Sequence, residues 1–202
     1  MRLFSSAGLC LIAALSILAQ QSPPAEVPSD PGLYAVFETS MGQIVARLYE
    51  DKTPATVKSF VALARGTKET LDRKGEKVQR PYFNGLTFHR VIKGFMIQGG
   101  DVAGTGSGNC GVAHLRDEID PTLDFKEPGK LAMANTGKPD TASCQFFITV
   151  GNADYLKGMF TIFGQVVAGQ EVADNISRVP TVRNDKPLVP VVIKTVTIVR
   201  KP

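Results

Sequence analysis

Short runs dense in Val, Ile, Phe and Thr recur from Leu33 to the end of the chain, while only two stretches carry a helical pattern. Tyr34–Thr39 and Gln43–Tyr49 flank Ser40-Met41-Gly42, a hairpin connection. Phe88–Ile92 and Phe95–Gly99 are separated by Gly94, and Lys130–Asn135, Gln145–Val150, Phe160–Val167 and Val189–Val199 follow, with Gly164 marking a bulge. Thr53 with Pro54 starts a helix that stops at Gly66, and a second runs from Glu171 to Arg178. About eight strands and two helices point to a mainly β fold, a closed barrel with helices over its openings.

The N-terminus reads differently. Met1-Arg2, the apolar run Leu3–Ala19 and a polar Pro-rich exit give the layout of a secretory signal peptide over residues 1–19. Residues 20–32 then form a Pro-rich linker without structure, and the folded domain is expected over 33–202. An uncleaved membrane anchor is the alternative. Leu9 before Cys10 is too bulky for lipoprotein processing, so Cys10 is not read as a lipid site. The product is expected to be exported, periplasmic or secreted, with no membrane contact beyond this segment.

Little chemistry can be assigned from residue types alone. The net charge is +4, but Lys and Arg are interleaved with Asp and Glu, which argues against nucleic-acid binding. Neither His89 nor His114 has partners at metal-ligand spacing, and no nucleophile elbow or cofactor motif is present. His89 reads as a hydrogen-bonded core residue. Gly104, Gly106 and Gly108 lack the spacing and following Lys of a phosphate cradle and suit a loop beside a groove. Thr67–Arg80 reads as a solvated loop, and Asp117, Glu118 and Asp120 as a solvated turn before Pro121.

One position stands out. Alternation places Phe88, Arg90 and Ile92 on one side of a strand and His89, Val91 and Lys93 on the other. A guanidinium among apolar side chains is costly unless something uses its donors. Either Arg90 acts on a ligand or a core carboxylate satisfies it.

Taken together, Phe88-His89-Arg90-Val91-Ile92, Gly94-Phe95-Met96-Ile97-Gln98-Gly99-Gly100-Asp101, Leu131–Asn135, Gln145-Phe146-Phe147-Ile148-Thr149 and Phe163-Gly164 resemble the cyclophilin family of peptidyl-prolyl cis–trans isomerases. The blocks stand in the family's order from Leu33 onward, and the long loop after the first helix resembles the bacterial branch. The resemblance implies an eight-stranded antiparallel barrel capped by two α-helices and a cofactor-independent isomerase. Its partners would be Pro-containing polypeptides and unfolded exported proteins, and it would act as a monomer.

By the same resemblance, Arg90 is the catalytic arginine. Phe95, Met96, Phe147 and Leu156 line the proline pocket, Gln98, Asn135 and Gln145 meet the peptide backbone, and Ala134 and Thr136 flank the groove. Phe160 and Tyr155, also placed at the substrate site, stand where many members carry histidine and tryptophan. Those changes imply reduced affinity for cyclosporin. Lys93 and Cys144 replace a usual proline and serine. Cys110 falls in the glycine-rich loop and Cys144 beside Gln145, so a disulfide and two separate buried thiols both stay open. A non-catalytic module that holds Pro-containing segments is the competing function.

Overall fold

The computed structural model describes residues 25–202. The signal-peptide reading and the start of the linker lie outside the described residues. Residues 25–31 form no helix or strand, yet they are not a free tether: Ala25 and Val27 pack on Tyr34, Val36 and Val45. Tyr34 also donates its hydroxyl to the Asp30 carbonyl at 2.9 Å.

In chain order the structured elements begin with β1 (Gly32–Thr39), β2 (Gly42–Leu48) and α1 (Pro54–Arg65), and continue with β3 (Thr70–Leu71) and β4 (Lys77–Val78). Next come β5 (Arg90–Ile92), β6 (Met96–Gly99), β7 (Lys130–Met133), β8 (Phe146–Thr149) and β9 (Ile162–Ala168). Last are α2 (Gln170–Ser177), β10 (Thr181–Val182), β11 (Lys186–Pro187) and β12 (Ile193–Lys201). Eight strands make one antiparallel sheet in the order β12-β1-β2-β9-β7-β8-β6-β5.

Closure is less complete than expected. Between the edge strands β5 and β12 there is no ladder, only the bridge Thr87–Val192 with backbone bonds such as Phe88 N–H to Val191 C=O at 3.0 Å. This curled sheet wraps a core containing Phe37, Phe88, Phe146 and Phe163. α1 adds Val57, Phe60 and Leu63 to that core, and α2 adds Val172, Ala173 and Ile176. Phe60 meets Phe83, Phe163 and Phe146 at centroid distances of 4.9, 5.1 and 5.9 Å, within the range where aromatic pairs attract. Gly164 lies where a Cβ would press on the Arg47 carbonyl, and the strand pairing slips beside it.

Several local expectations change once distant residues are in place. Thr53 does not cap α1, because its hydroxyl turns back to the Tyr49 carbonyl at 3.1 Å. Glu118 caps the helix instead, accepting from Ala55 N–H at 3.1 Å and Thr56 N–H at 2.8 Å. The acidic turn therefore contributes a structural anion at a helix N-terminus. Thr67–Arg80 is not simply solvated: it forms the β3–β4 hairpin, and Leu71 N–H donates to the Cys110 carbonyl at 2.8 Å. Phe88 lies outside β5 and joins Val91 in the core, so the expected alternation holds only from Arg90 onward.

Candidate active site

Antiparallel register sets directly opposed residues on the same face of a sheet. Arg90 is opposite Gln98, Gln98 opposite Phe147, Phe147 opposite Ala132, and Ala132 opposite Ile162. Their strand neighbours Val91, Ile97, Phe146, Leu131 and Phe163 point into the barrel core, so this row faces outward. A second apolar cluster, including Met96, Phe125, Phe147 and Leu156, covers that outer face. Phe147 stacks on Phe125 at 6.0 Å and meets Phe160 edge-on at 5.4 Å.

The result is a hollow of about 150 Å³. Phe95, Met96, Phe147, Leu156 and Phe160 supply its apolar wall with Ala134, and Arg90, Gln98 and Asn135 its polar rim. A neighbouring hollow shares Gln98, Ala134 and Asn135 and adds Thr136 and Gln145. Of the residues expected at the site, only Tyr155 lies outside both. It is 67 % exposed, its ring 5.9 Å from that of Phe95 on the outer side. A phenol hydroxyl is satisfied by water there, and nothing turns the ring inward.

Arg90 is not held in a buried carboxylate clasp. Its Nε lies 3.4 Å from Asp185 Oδ2, and the two side chains are 41 % and 48 % exposed. Such a half-solvated pair contributes no more than about 1 kcal/mol. The Nη groups take no hydrogen bond among the described residues and remain available at the hollow.

The amide side chains are organised by the loop opposite. Gln98 Nε2 donates to Gln145 Oε1 at 3.0 Å, and Gln145 Nε2 donates to the Gly106 carbonyl at 3.0 Å. This chain fixes both amides and leaves Gln98 Oε1 as an acceptor. Asn135 is spent differently: Nδ2 donates to the Met159 carbonyl at 3.0 Å, and Oδ1 accepts from Gly137 N–H at 3.0 Å. Any peptide contact from Asn135 must come from its backbone, whose N–H and C=O take no partner among the described residues.

The family model for cyclophilin type peptidyl-prolyl cis-trans isomerase/CLD matches residues 34–198. The chain belongs to this family. A probable peptidyl-prolyl cis-trans isomerase A of Mycobacterium leprae is 48% identical over 168 residues, 81% of this chain and 91% of that one. Peptidyl-prolyl cis-trans isomerase B of Streptomyces anulatus is 46% identical over 170 residues, 82% and 96% of the two chains. A Cryptosporidium parvum cyclophilin solved in the presence of the dipeptide Ala-Pro superposes with a TM-score of 0.71 at 32% identity, covering 82% of this chain and 98% of its own.

In this cyclophilin the glycine-rich loop is built around one buried carboxylate. Asp101 accepts from Ala103 N–H at 3.0 Å, Thr105 N–H at 2.7 Å and Gly106 N–H at 2.6 Å. Those donors are therefore not free to cradle a phosphate. Gly108 lies where a Cβ would overlap Asp101 Oδ1, so the tight loop requires glycine there. Burial alone would raise the Asp101 pKa, but the three N–H donors and nearby His89 bring it below the ordinary carboxylate value. Asp101→Asn is expected to cost about 1.5–3 kcal/mol in denaturant unfolding, because an amide NH2 must then face a backbone donor.

His89 is buried but not hydrogen-bonded as expected, since neither ring nitrogen has a partner. Burial holds its pKa below the ordinary 6.5, Asp101 opposes that shift, and Arg90 and Lys186 add to it. The unfolded chain binds this proton more readily, so stability contributed by neutral His89 is lost as pH falls below about 6.5. Asp101 has a depressed folded pKa, so its contribution is present above the ordinary 3.8 and is lost as pH falls towards the lower folded value. Thermal unfolding as a function of pH is expected to show both declines, the first absent in His89→Phe.

Cys110 and Cys144 form a disulfide, with Cα atoms 6.6 Å apart. The bridge joins the glycine-rich loop to the residue before Gln145. Sequence reasoning missed Phe125, which backs Phe147, and Asp185, which touches Arg90. Neither lies in a block with a readable period, and both reach the site through loops.

Proposed function

We propose that this isomerase accelerates X–Pro bond rotation in exported polypeptides, with Arg90 donating to the prolyl nitrogen in the twisted transition state. The observation that carries this reading is the pair of unengaged Arg90 Nη groups at the rim of the Met96–Phe147–Leu156 hollow. Rotation breaks amide resonance, a barrier of about 18–20 kcal/mol. As the bond twists, the nitrogen becomes pyramidal and regains a lone pair. A guanidinium donor meets that lone pair only there, so the interaction lowers the barrier instead of tightening the ground state.

The remaining residues position the substrate. A proline ring buries three methylenes at about 0.8 kcal/mol each, enough for a weak and non-selective grip. Gln98 Oε1 and the Asn135 backbone are the groups available to hold the adjoining peptide units, which keeps one side of the bond fixed while the other turns. The chain's own residues thus supply positioning and one directed donor. Tyr155 on the outer rim gives no wall to the hollow, which supports weakened cyclosporin binding.

Export rests on the residues 1–19 pattern, and N-terminal sequencing of protein recovered from the host's exported fraction tests it. A start at Gln20 supports export with cleavage; an intact Met1 sinks cleavage. The activity itself is read from a Pro-containing tetrapeptide jumped out of cis–trans equilibrium. Uncatalysed relaxation takes tens to hundreds of seconds, and the protein is expected to shorten it in proportion to its concentration. Peptide binding without acceleration would leave the chain a module that holds Pro-containing segments.

A further inference from the structure

A larger hollow, about 640 Å³, adjoins the proline site and includes none of its apolar-wall residues. It shares Arg90 and Gln98 with the proline site, whereas the Thr136 hollow shares Gln98, Ala134 and Asn135. The two side hollows adjoin each other at Gln98 and Gly106, and of the two only the larger one is lined by Arg90.

The larger hollow has a distinct charge. Arg90, Arg183 and Lys186 line it against a single carboxylate, Asp185. Among the described residues neither Arg183 nor Lys186 has an ion-pair partner. His89 also lines this hollow, 5 % exposed and with both ring nitrogens unpartnered, and its Nε2 edge lies towards Gly106. Asp185 itself shows how the site takes a carboxylate: it sits on Arg90 from a backbone turn at φ 57, next to Asn184 at φ 65. Asp185 occupies Arg90 at Nε, whereas Arg183 and Lys186 stay open to a second anion.

We propose that this hollow is a specificity subsite for an acidic side chain, Asp or Glu, on one side of the proline in the substrate chain. The proposal rests on the isomerase reading for its substrate and extends it to sequence preference. The cations are solvent-facing, so the preference is moderate and sensitive to salt.

The test is calorimetric binding of peptides carrying Glu or Gln at each of the two positions before and after the X–Pro unit, at low ionic strength. Glu is expected to bind about three- to tenfold more tightly than Gln on one side only, with the ratio falling towards one in high salt. The same ratio is expected to fall towards one in Arg183→Gln/Lys186→Gln and to rise in Asp185→Asn, a change the left-handed backbone tolerates. Equal affinities at every position, or a preference that survives the double variant, would overturn the subsite. Relaxation rates on the same peptides keep the two readings apart: acid-dependent binding without acceleration removes the isomerase reading and leaves the subsite standing.

Discussion

Removing the Cys110–Cys144 bridge by Cys110→Ala/Cys144→Ala is expected to lower unfolding stability by about 3–4 kcal/mol. The two cysteines are 34 residues apart in sequence, and cross-linking a loop of that length takes about this much entropy out of the unfolded chain. The bridge also holds the loop that Asp101 organises against Gln145, just before β8, whose amide donates to the Gly106 carbonyl. Urea unfolding of the oxidised protein and the double variant measures the difference. Two free thiols found by alkylation and mass of the oxidised protein would contradict the pairing itself.

The second large effect concerns Arg90. Arg90→Ala is expected to lower kcat/KM on a Pro-containing tetrapeptide by about ten- to hundredfold, the size of one charge-assisted hydrogen bond made in the transition state. Stability should change little, since Arg90 is half-exposed and its contact with Asp185 is solvated. Arg90→Lys keeps the charge but loses the planar fork and is expected to fall between the two. Positioning by the hollow, Gln98 and the Asn135 backbone supplies the rest of the acceleration, so the alanine variant should retain some activity above background. A variant with normal turnover would remove Arg90 from the mechanism.

What could be read from the sequence was what depends on local pattern. Strand segments around Phe88–Gly99, Lys130–Asn135 and Gln145–Val150, the Pro54 helix start and the Gly66 stop all follow from turn residues and apolar spacing. The family resemblance then grouped Arg90, Phe95, Met96, Gln98, Phe147 and Leu156, and they line one hollow, Arg90, Met96, Gln98 and Phe147 through strand register and Phe95 and Leu156 from a turn and a 3-10 helix. The features that escaped depend on residues far apart in the chain. Glu118 caps a helix more than sixty positions earlier, and Asp185 reaches Arg90 from an irregular turn with no period to detect. Tyr155 was placed at the groove because it stands where family members carry tryptophan, yet it follows Asp154 in a one-turn 3-10 helix in which only Leu156 is buried. Asn135 was expected to meet the peptide backbone, and which of its groups could do so was not legible: two backbone groups, Met159 C=O and Gly137 N–H, claim its side chain.

The central claim is that the arginine acts on the rotating bond and hardly at all on the resting peptide. NMR exchange measurements on one Pro-containing peptide, with wild type and Arg90→Ala, give the dissociation constant and the on-enzyme isomerisation rate separately. The account predicts an on-enzyme rate at least about tenfold lower with a dissociation constant changed by less than about threefold. An unchanged on-enzyme rate with the whole loss in affinity would contradict it.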